Sequence, residues 1–187
     1  LSARKKAEAF PVKGYIFNAG DDRSAAGKFI ENLLRHRIEV YRCGKNITKS
    51  GVSYTTADSW FVPMNQKEFR FVRSLFEPVF TFADTVFYDI STWVMPMAFN
   101  LSYTALNGGE ATGMTGERVT EAPMPEGRMA GVENPYAWLF EWTDSYSPKA
   151  LYMIQQAGLT ARVSARPFTS TTEGKEKKFG YGTIMVH

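Results

Sequence analysis

The sequence is poor in the residues that carry most enzyme chemistry, because it holds one cysteine and two histidines among 187 residues. A single cysteine, Cys43, excludes an internal disulfide framework. A catalytic zinc site needs two or three His, Glu or Asp ligands at one point. His36 and His187 lie far apart in the sequence, and His-Glu-x-x-His does not occur. We therefore predict no catalytic residue, no metal site and no cofactor within this chain.

Long apolar runs and a strong charge bias are also missing. The longest apolar run covers residues 93–99 and is interrupted by Pro96, whereas a membrane-spanning helix needs about 20 apolar residues. The formal net charge is +3, and the basic residues are dispersed among acidic ones, unlike the basic stripe of a nucleic-acid-binding surface. No signal-peptide pattern follows Leu1. We expect neither a membrane span nor a nucleic-acid partner.

Known phosphate-binding and nucleophile patterns are absent as well. Gly-x-Gly-x-x-Gly and the Walker pattern do not occur. A nucleophilic cysteine such as that of class I glutamine amidotransferases lies at a strand-to-helix elbow with nearby glycines and a histidine partner. Cys43 instead precedes Gly44-Lys45-Asn46, a turn into a loop. The sequence favours a structural cysteine over a nucleophile.

What the sequence does contain is one pattern that occurs twice, 123 residues apart. At that offset Phe17 aligns with Phe140, and Ser24 aligns with Ser147. Apolar stripes at helical spacing follow both serines, and short apolar strands flank both stripes. Each copy indicates strand, helix, strand, loop and strand. The repeat predicts an α/β sheet built from two similar β-α-β-β halves.

The same pattern predicts the organisation of the chain as a single α/β domain over residues 1–187. The first half covers about 13–101 and the second about 136–187. Residues 104–135 hold six glycines and three prolines, which is typical of a long, partly mobile crossover. A compact strand-helix-strand unit crosses over right-handed, so we expect its strands to be parallel.

Acidic residues follow the first strand of each half. Asp21 and Asp22 lie in the first of these loops, and Asp144 and Tyr146 lie in the second. In an open α/β sheet, ligands bind beyond the carboxyl ends of the strands, so these side chains are candidates for contacting a ligand or a cation. Helix capping explains the aspartates equally well. The sequence leaves both interpretations open.

An aromatic and polar run at residues 88–93 is the most distinctive stretch of the chain. Tyr88, Asp89, Thr92 and Trp93 combine the residue types that anchor protein interfaces, which makes them candidates for a recognition surface. The alternative is that Trp93 fills the core while Asp89 caps a helix.

Several motifs together resemble one protein family. The sequence resembles the segment that follows the catalytic domain in a branch of bacterial zinc carboxypeptidases of the carboxypeptidase A superfamily. The resemblance covers about residues 13–187. The motifs that carry it are Ser59-Trp-Phe-Val-Pro-Met-Asn-Gln66, Leu75-Phe-Glu-Pro78, Tyr88-Asp-Ile-Ser-Thr-Trp-Val-Met-Pro-Met-Ala-Phe-Asn100, Ser147-Pro-Lys-Ala-Leu-Tyr152, Ile154-Gln-Gln-Ala-Gly158 and Phe179-Gly-Tyr-Gly-Thr183.

The resemblance implies both a fold and a role. The fold would be a three-layer sheet with helices on both faces, flavodoxin-like or class I glutamine-amidotransferase-like. The role would be that of a non-catalytic accessory domain in a periplasmic or extracellular protein, whose zinc and catalytic residues lie upstream. The expected partners are the catalytic domain of the same polypeptide and peptide substrate. The alternative is a free-standing ligand-binding module with its pocket near Asp21, Asp22 and Asp144.

Overall fold

The computed structural model describes residues 3–79, 94–131 and 133–187 of the protein. These residues mix helices and strands, in agreement with the general α/β class predicted from the sequence. The chain divides into two compact units, Leu1–Met124 and Pro125–His187. Each unit is described by itself.

The first unit is organised around a five-stranded sheet with the order β6-β1-β5-β2-β7. Every ladder in this sheet is antiparallel. All five residues of β1 are buried, because both faces of the sheet are covered. The strands are β1 (Gly14–Asn18), β2 (Tyr41–Cys43), β5 (Ser59–Pro63), β6 (Tyr103–Leu106) and β7 (Thr115–Arg118).

Helices cover one face of this sheet. Strand alternation turns Tyr15, Phe17, Trp60 and Val62 to that side, where they pack with the apolar stripes of the helices. Phe17 stacks on Trp60 with ring centroids 5.6 Å apart and meets the Phe29 ring edge-on at 5.1 Å. The helices are α1 (Ala3–Ala9), α2 (Arg23–Arg35), α3 (Phe69–Phe76) and α4 (Met95–Ala98).

A hairpin covers the opposite face, together with a one-turn helix, α5 (Gly108–Ala111). The hairpin consists of β3 (Ile47–Lys49) and β4 (Val52–Tyr54). Its turn residues Ser50 and Gly51 both have positive φ, 53° and 78°, as a type I′ turn requires. The expected helical layer on this face is therefore replaced by the hairpin and α5.

The second unit contains a three-stranded sheet with the order β8-β12-β9, again antiparallel throughout. One helix and one hairpin complete its regular structure among the described residues. The elements are β8 (Trp138–Phe140), α6 (Ser147–Gln156), β9 (Ala161–Val163), β10 (Phe168–Thr172), β11 (Lys175–Phe179) and β12 (Ile184–Val186), with β10 and β11 forming the hairpin.

The two units share one order of elements. Each has strand, helix, strand, hairpin and strand, and the last strand pairs antiparallel between the first two. The second hairpin turns at Glu173 and Gly174, with φ of 50° and 76°, which are the residues 123 positions after Ser50 and Gly51. The repeat that the sequence indicates is therefore present in the topology of the chain.

Two expectations need correction. β1 and β2 run in the same direction, but they are not paired, because β5 lies between them and is antiparallel to both. The described ladders therefore do not form the parallel sheet of a flavodoxin-like domain. The expected crossover over 104–135 contains two edge strands, β6 on β1 and β7 on β2. Its glycines and prolines obscured these short strands in the sequence.

Candidate functional site

A cleft of about 200 Å³ lies on the first unit, beside β5, which is the last strand of the first copy of the repeat. Arg42 on β2 and Trp60 on β5 contribute side chains to it, and the remaining walls come from β7 and the chain that follows it. The lining residues are Arg42, Trp60, Glu117, Arg118, Val119, Thr120, Glu121 and Pro123. The cleft therefore combines an aromatic ring with side chains of both charge signs.

Strand pairing explains how the two central side chains come together. Arg42 and Trp60 are direct partners across the β2–β5 ladder, so their side chains lie on the same face of the sheet. The Arg42 guanidinium carbon lies 5.2 Å from the centroid of the Trp60 ring, within the range of a cation–π contact. Arg42 also donates a long hydrogen bond of 3.4 Å to the Ala57 carbonyl.

The Trp60 indole carries an unused hydrogen-bond donor. Trp60 is only 5% exposed, and its Nε1 has no acceptor among the described residues. An unpaired buried donor costs about 1–3 kcal/mol. Arg42 likewise takes part in none of the ion pairs of the described chain. Two donor groups of this cleft thus lack strong acceptors.

Backbone contacts hold the outer wall of the cleft in place. The Val119 amide donates to the Val40 carbonyl at 2.9 Å, which extends the β2–β7 pairing. Further along, the Pro123 carbonyl approaches α2 at Gly27 so closely that only a residue without a side chain fits there. The segment over 119–123 is therefore fixed at both ends by α2 and β2.

The residues of the cleft have the chemistry of binding. Arginine donates to carboxylates through a planar fork, and an indole face contacts apolar or planar groups. No serine, cysteine or histidine lines the cleft among the described residues, and its hydroxyl and carboxylate groups, those of Thr120, Glu117 and Glu121, are exposed. Drug-sized pockets measure about 300–1,000 Å³, so this cleft suits a group the size of one side chain.

A second groove, of about 260 Å³, lies at the start of α3. Lys67, Glu68, Arg70 and Phe71 line it. The buried side-chain atoms that lack a hydrogen-bond partner in the described chain belong to Asn18 and Trp60, neither of which lines this groove. The groove therefore offers surface charges, whereas the Arg42–Trp60 cleft includes a buried ring.

The structure places Asp22 at the N-terminus of α2. Its carboxylate accepts a hydrogen bond of 2.8 Å from the Ala25 amide, as an N-cap does. Asp21 is exposed in the preceding turn. The capping interpretation therefore accounts for Asp22, and the ligand interpretation of Asp21 stays a prediction.

Replacing Asp22 with alanine distinguishes the two interpretations. We expect D22A to lower the free energy of unfolding by about 1 kcal/mol, because α2 loses its side-chain cap. D21A is the matched control and should change stability by less than about 0.5 kcal/mol, as is usual for a surface substitution. Chemical denaturation followed by circular dichroism measures both. Equal losses in the two variants would contradict the capping role.

Asp144 and Tyr146 lie in the second unit, in the turn that leads into α6. The Asp144 carboxylate accepts a hydrogen bond of 2.7 Å from the Tyr146 amide, and its carbonyl accepts one of 3.0 Å from the Ser147 amide. Ser147 is buried, and its hydroxyl donates to the Glu141 carbonyl at 2.9 Å. Asp144 thus shapes the entry to the helix, and Tyr146 is 38% exposed beside it.

The remaining candidates are placed as follows. Tyr88, Asp89, Thr92 and Trp93 lie outside the described residues. Cys43 is buried and donates through its Sγ to the Lys45 carbonyl at 2.8 Å. Desolvation raises the pKa of the Cys43 thiol, which disfavours the nucleophilic thiolate.

The described residues contain no group of three His, Cys, Asp or Glu side chains arranged to hold a metal ion. His36 ends α2, and its ring meets the Phe71 ring edge-on at 4.8 Å. No helix among the described ranges combines the length and the hydropathy needed to cross a membrane.

Comparison with protein-family models, with curated proteins and with solved structures gave no match. The function is therefore inferred from the residues of the chain itself. Sequence reasoning missed the Arg42–Trp60 pair, because the partners belong to strands that are neither consecutive nor predicted to be neighbours. The available signal was the alternation in Tyr41-Arg42-Cys43, which places the charged residue on the face opposite Cys43.

Proposed function

We propose that this chain is a non-catalytic accessory domain that binds its ligand and leaves the chemistry to another domain. The observation that carries the proposal is the Arg42–Trp60 cleft, whose described lining supplies hydrogen-bond donors and an aromatic ring, with its carboxylates at the exposed rim. The buried Cys43, with its raised thiol pKa, adds to this. A cleft built around an arginine and an indole is the expected content of a domain that holds or presents a ligand.

The proposed parent is a zinc-carboxypeptidase-like protein of the periplasm or the extracellular space. This step rests on the sequence resemblance, and one of its motifs, residues 59–66, includes the central strand β5 and supplies Trp60 to the cleft. The zinc and its ligands would belong to a catalytic domain upstream. The accessory domain would pack beside that domain or present peptide substrate to it.

The proposal also includes a specific fold for the domain. A three-layer, amidotransferase-like arrangement is supported by the same direction of β1 and β2 and by the coverage of both faces of the first sheet. The antiparallel insertion of β5 weighs against it.

A free-standing ligand-binding module is the second candidate, and the same cleft favours it. The two candidates differ in whether the cleft works alone or next to a catalytic domain. Because Asp22 serves as a helix cap, we place the ligand pocket of this alternative in the Arg42–Trp60 cleft, and ligand contacts at Asp21 and Asp144 stay predictions.

A peptide-hydrolysis assay tests the non-catalytic role. The purified chain, supplied with zinc, is incubated with peptides that have free C-termini, and release of the terminal amino acid is followed by mass spectrometry. We expect no release above the buffer control. Hydrolysis that disappears on adding a chelator and returns with zinc would contradict the proposal, and C43S, measured alongside, would reveal a thiol-dependent activity.

A further inference from the structure

We infer that the Arg42–Trp60 cleft binds an organic carboxylate whose carboxylate pairs with the Arg42 guanidinium and whose body lies in the cleft lined by Trp60. This inference deepens the proposed function and rests on it, since it names the ligand class of the same cleft. The ligand can be a free small acid or the terminal carboxylate of a peptide, because the two share the recognised chemistry.

The Arg42 guanidinium is the cation of the proposed carboxylate site. Arginine has a planar fork of donors that matches a carboxylate with two parallel hydrogen bonds. Arg42 is half-buried, and its described contacts are the Trp60 ring and a single long bond to a carbonyl. Its guanidinium therefore retains donors for a ligand, and partial burial strengthens the attraction relative to an exposed arginine.

The Trp60 indole supplies the apolar part of the proposed site. Because Trp60 stacks on Phe17 in the core and lies beneath the Arg42 guanidinium, its ring is held rigidly, and the small part that is exposed gives the cleft a fixed apolar wall. Its Nε1 is buried and lacks an acceptor in the described chain, so the ligand's oxygens pair with Arg42 while the indole contributes apolar surface. The ring also favours a planar or apolar body over a fully hydrated anion such as phosphate.

The charged lining and the volume of the cleft limit which carboxylates fit. Glu117, Arg118 and Glu121 line the outer wall of the cleft and are exposed, so with Arg42 the lining is balanced in charge and gives polyanions no strong attraction. A volume of about 200 Å³ accommodates one ring or one side chain. These features together select a monocarboxylate with a compact apolar body.

The test is a calorimetric titration of the whole chain with defined probes. Benzoate and N-acetyl-phenylalanine carry the carboxylate, N-acetyl-phenylalanine amide lacks it, and inorganic phosphate carries charge without an apolar body. A pentapeptide ending in phenylalanine, with either a free or an amidated C-terminus, distinguishes a peptide source from a free acid. We expect saturable binding of carboxylate probes and none of the amides.

Three variants assign the binding to the cleft. R42A should weaken carboxylate binding at least tenfold, as loss of a hydrogen bond to a charged group does. R42K should be intermediate, because it keeps the charge and loses the fork. R70A is the matched control, an exposed arginine that lines the other groove, and should leave the affinity unchanged. The circular dichroism spectrum of each variant verifies that it is folded.

Three results would overturn the inference. One is the absence of saturable binding of every carboxylate probe by the folded wild-type chain. Another is equal affinity in wild type and folded R42A. Tighter binding of phosphate than of benzoate would also reject the carboxylate class. These outcomes leave the proposed non-catalytic role standing, because other results contradict that role. They are peptide hydrolysis by the chain itself, or a coding region upstream of Leu1 without the zinc ligands.

Discussion

Replacing Phe17 with alanine is expected to lower the free energy of unfolding by about 3–5 kcal/mol. Phe17 has no exposed surface and contacts Phe29 and Trp60 through its ring. Truncation removes the buried ring and leaves a cavity that the surrounding strands and α2 cannot fill. Domains are stable by only about 5–15 kcal/mol in total, so this loss should be visible as a large shift in the guanidinium midpoint.

The repeat supplies the matched control for this substitution. Phe140 occupies the equivalent strand position in the second unit and is half-buried, so F140A should cost clearly less than F17A because less apolar area is lost. Denaturation of both variants, followed by circular dichroism, compares the two positions. A cost for F17A below about 1 kcal/mol would contradict the described packing of the first core.

Replacing Gly27 with alanine is expected to destabilise the protein, although the same change in an ordinary helix interior stabilises it by about 1 kcal/mol. Gly27 lies within α2, and a Cβ there would collide with the Pro123 carbonyl oxygen. Because backbone must move to relieve the collision, we expect a net loss of about 1–3 kcal/mol. The 119–123 wall of the cleft should shift in the same variant, and carboxylate binding should weaken.

Gly109 provides the control for Gly27. It lies in the one-turn helix α5, and a Cβ there would meet no atom within 4 Å. G109A should therefore be neutral or gain up to about 1 kcal/mol. Thermal unfolding of the two variants gives the sign of each effect. A stabilised G27A would show that the Pro123 segment does not lie against α2.

Local patterns predicted the elements of the fold better than their pairing. The buried strand containing Phe17 and the helix that follows Asp22 were identified from apolar spacing and a capping residue, and both are present. The insertion of β5 between β1 and β2 was not predicted from the sequence, because strand order depends on contacts between distant segments. The short strands β6 and β7 were missed for the same reason, since their stability comes from pairing with β1 and β2.

In the candidate site, too, local features were predictable from the sequence and contacts between distant segments were not. Asp22 was recognised as either a cap or a ligand, and one local hydrogen bond decides for the cap. The Arg42–Trp60 cleft could not be predicted, because it forms only where two strands from separate parts of the chain become neighbours. The unused Trp60 N–H is likewise a property of the packed core, which composition and spacing do not report.

The measurement that tests the central claim most directly is the sequence of the coding region immediately upstream of Leu1. We predict a His-x-x-Glu motif followed by a distant histidine, the ligands of a zinc carboxypeptidase, in the same reading frame. A start codon directly before Leu1, or an unrelated domain in that position, would contradict the accessory role and leave the free-standing ligand-binding module as the function to pursue.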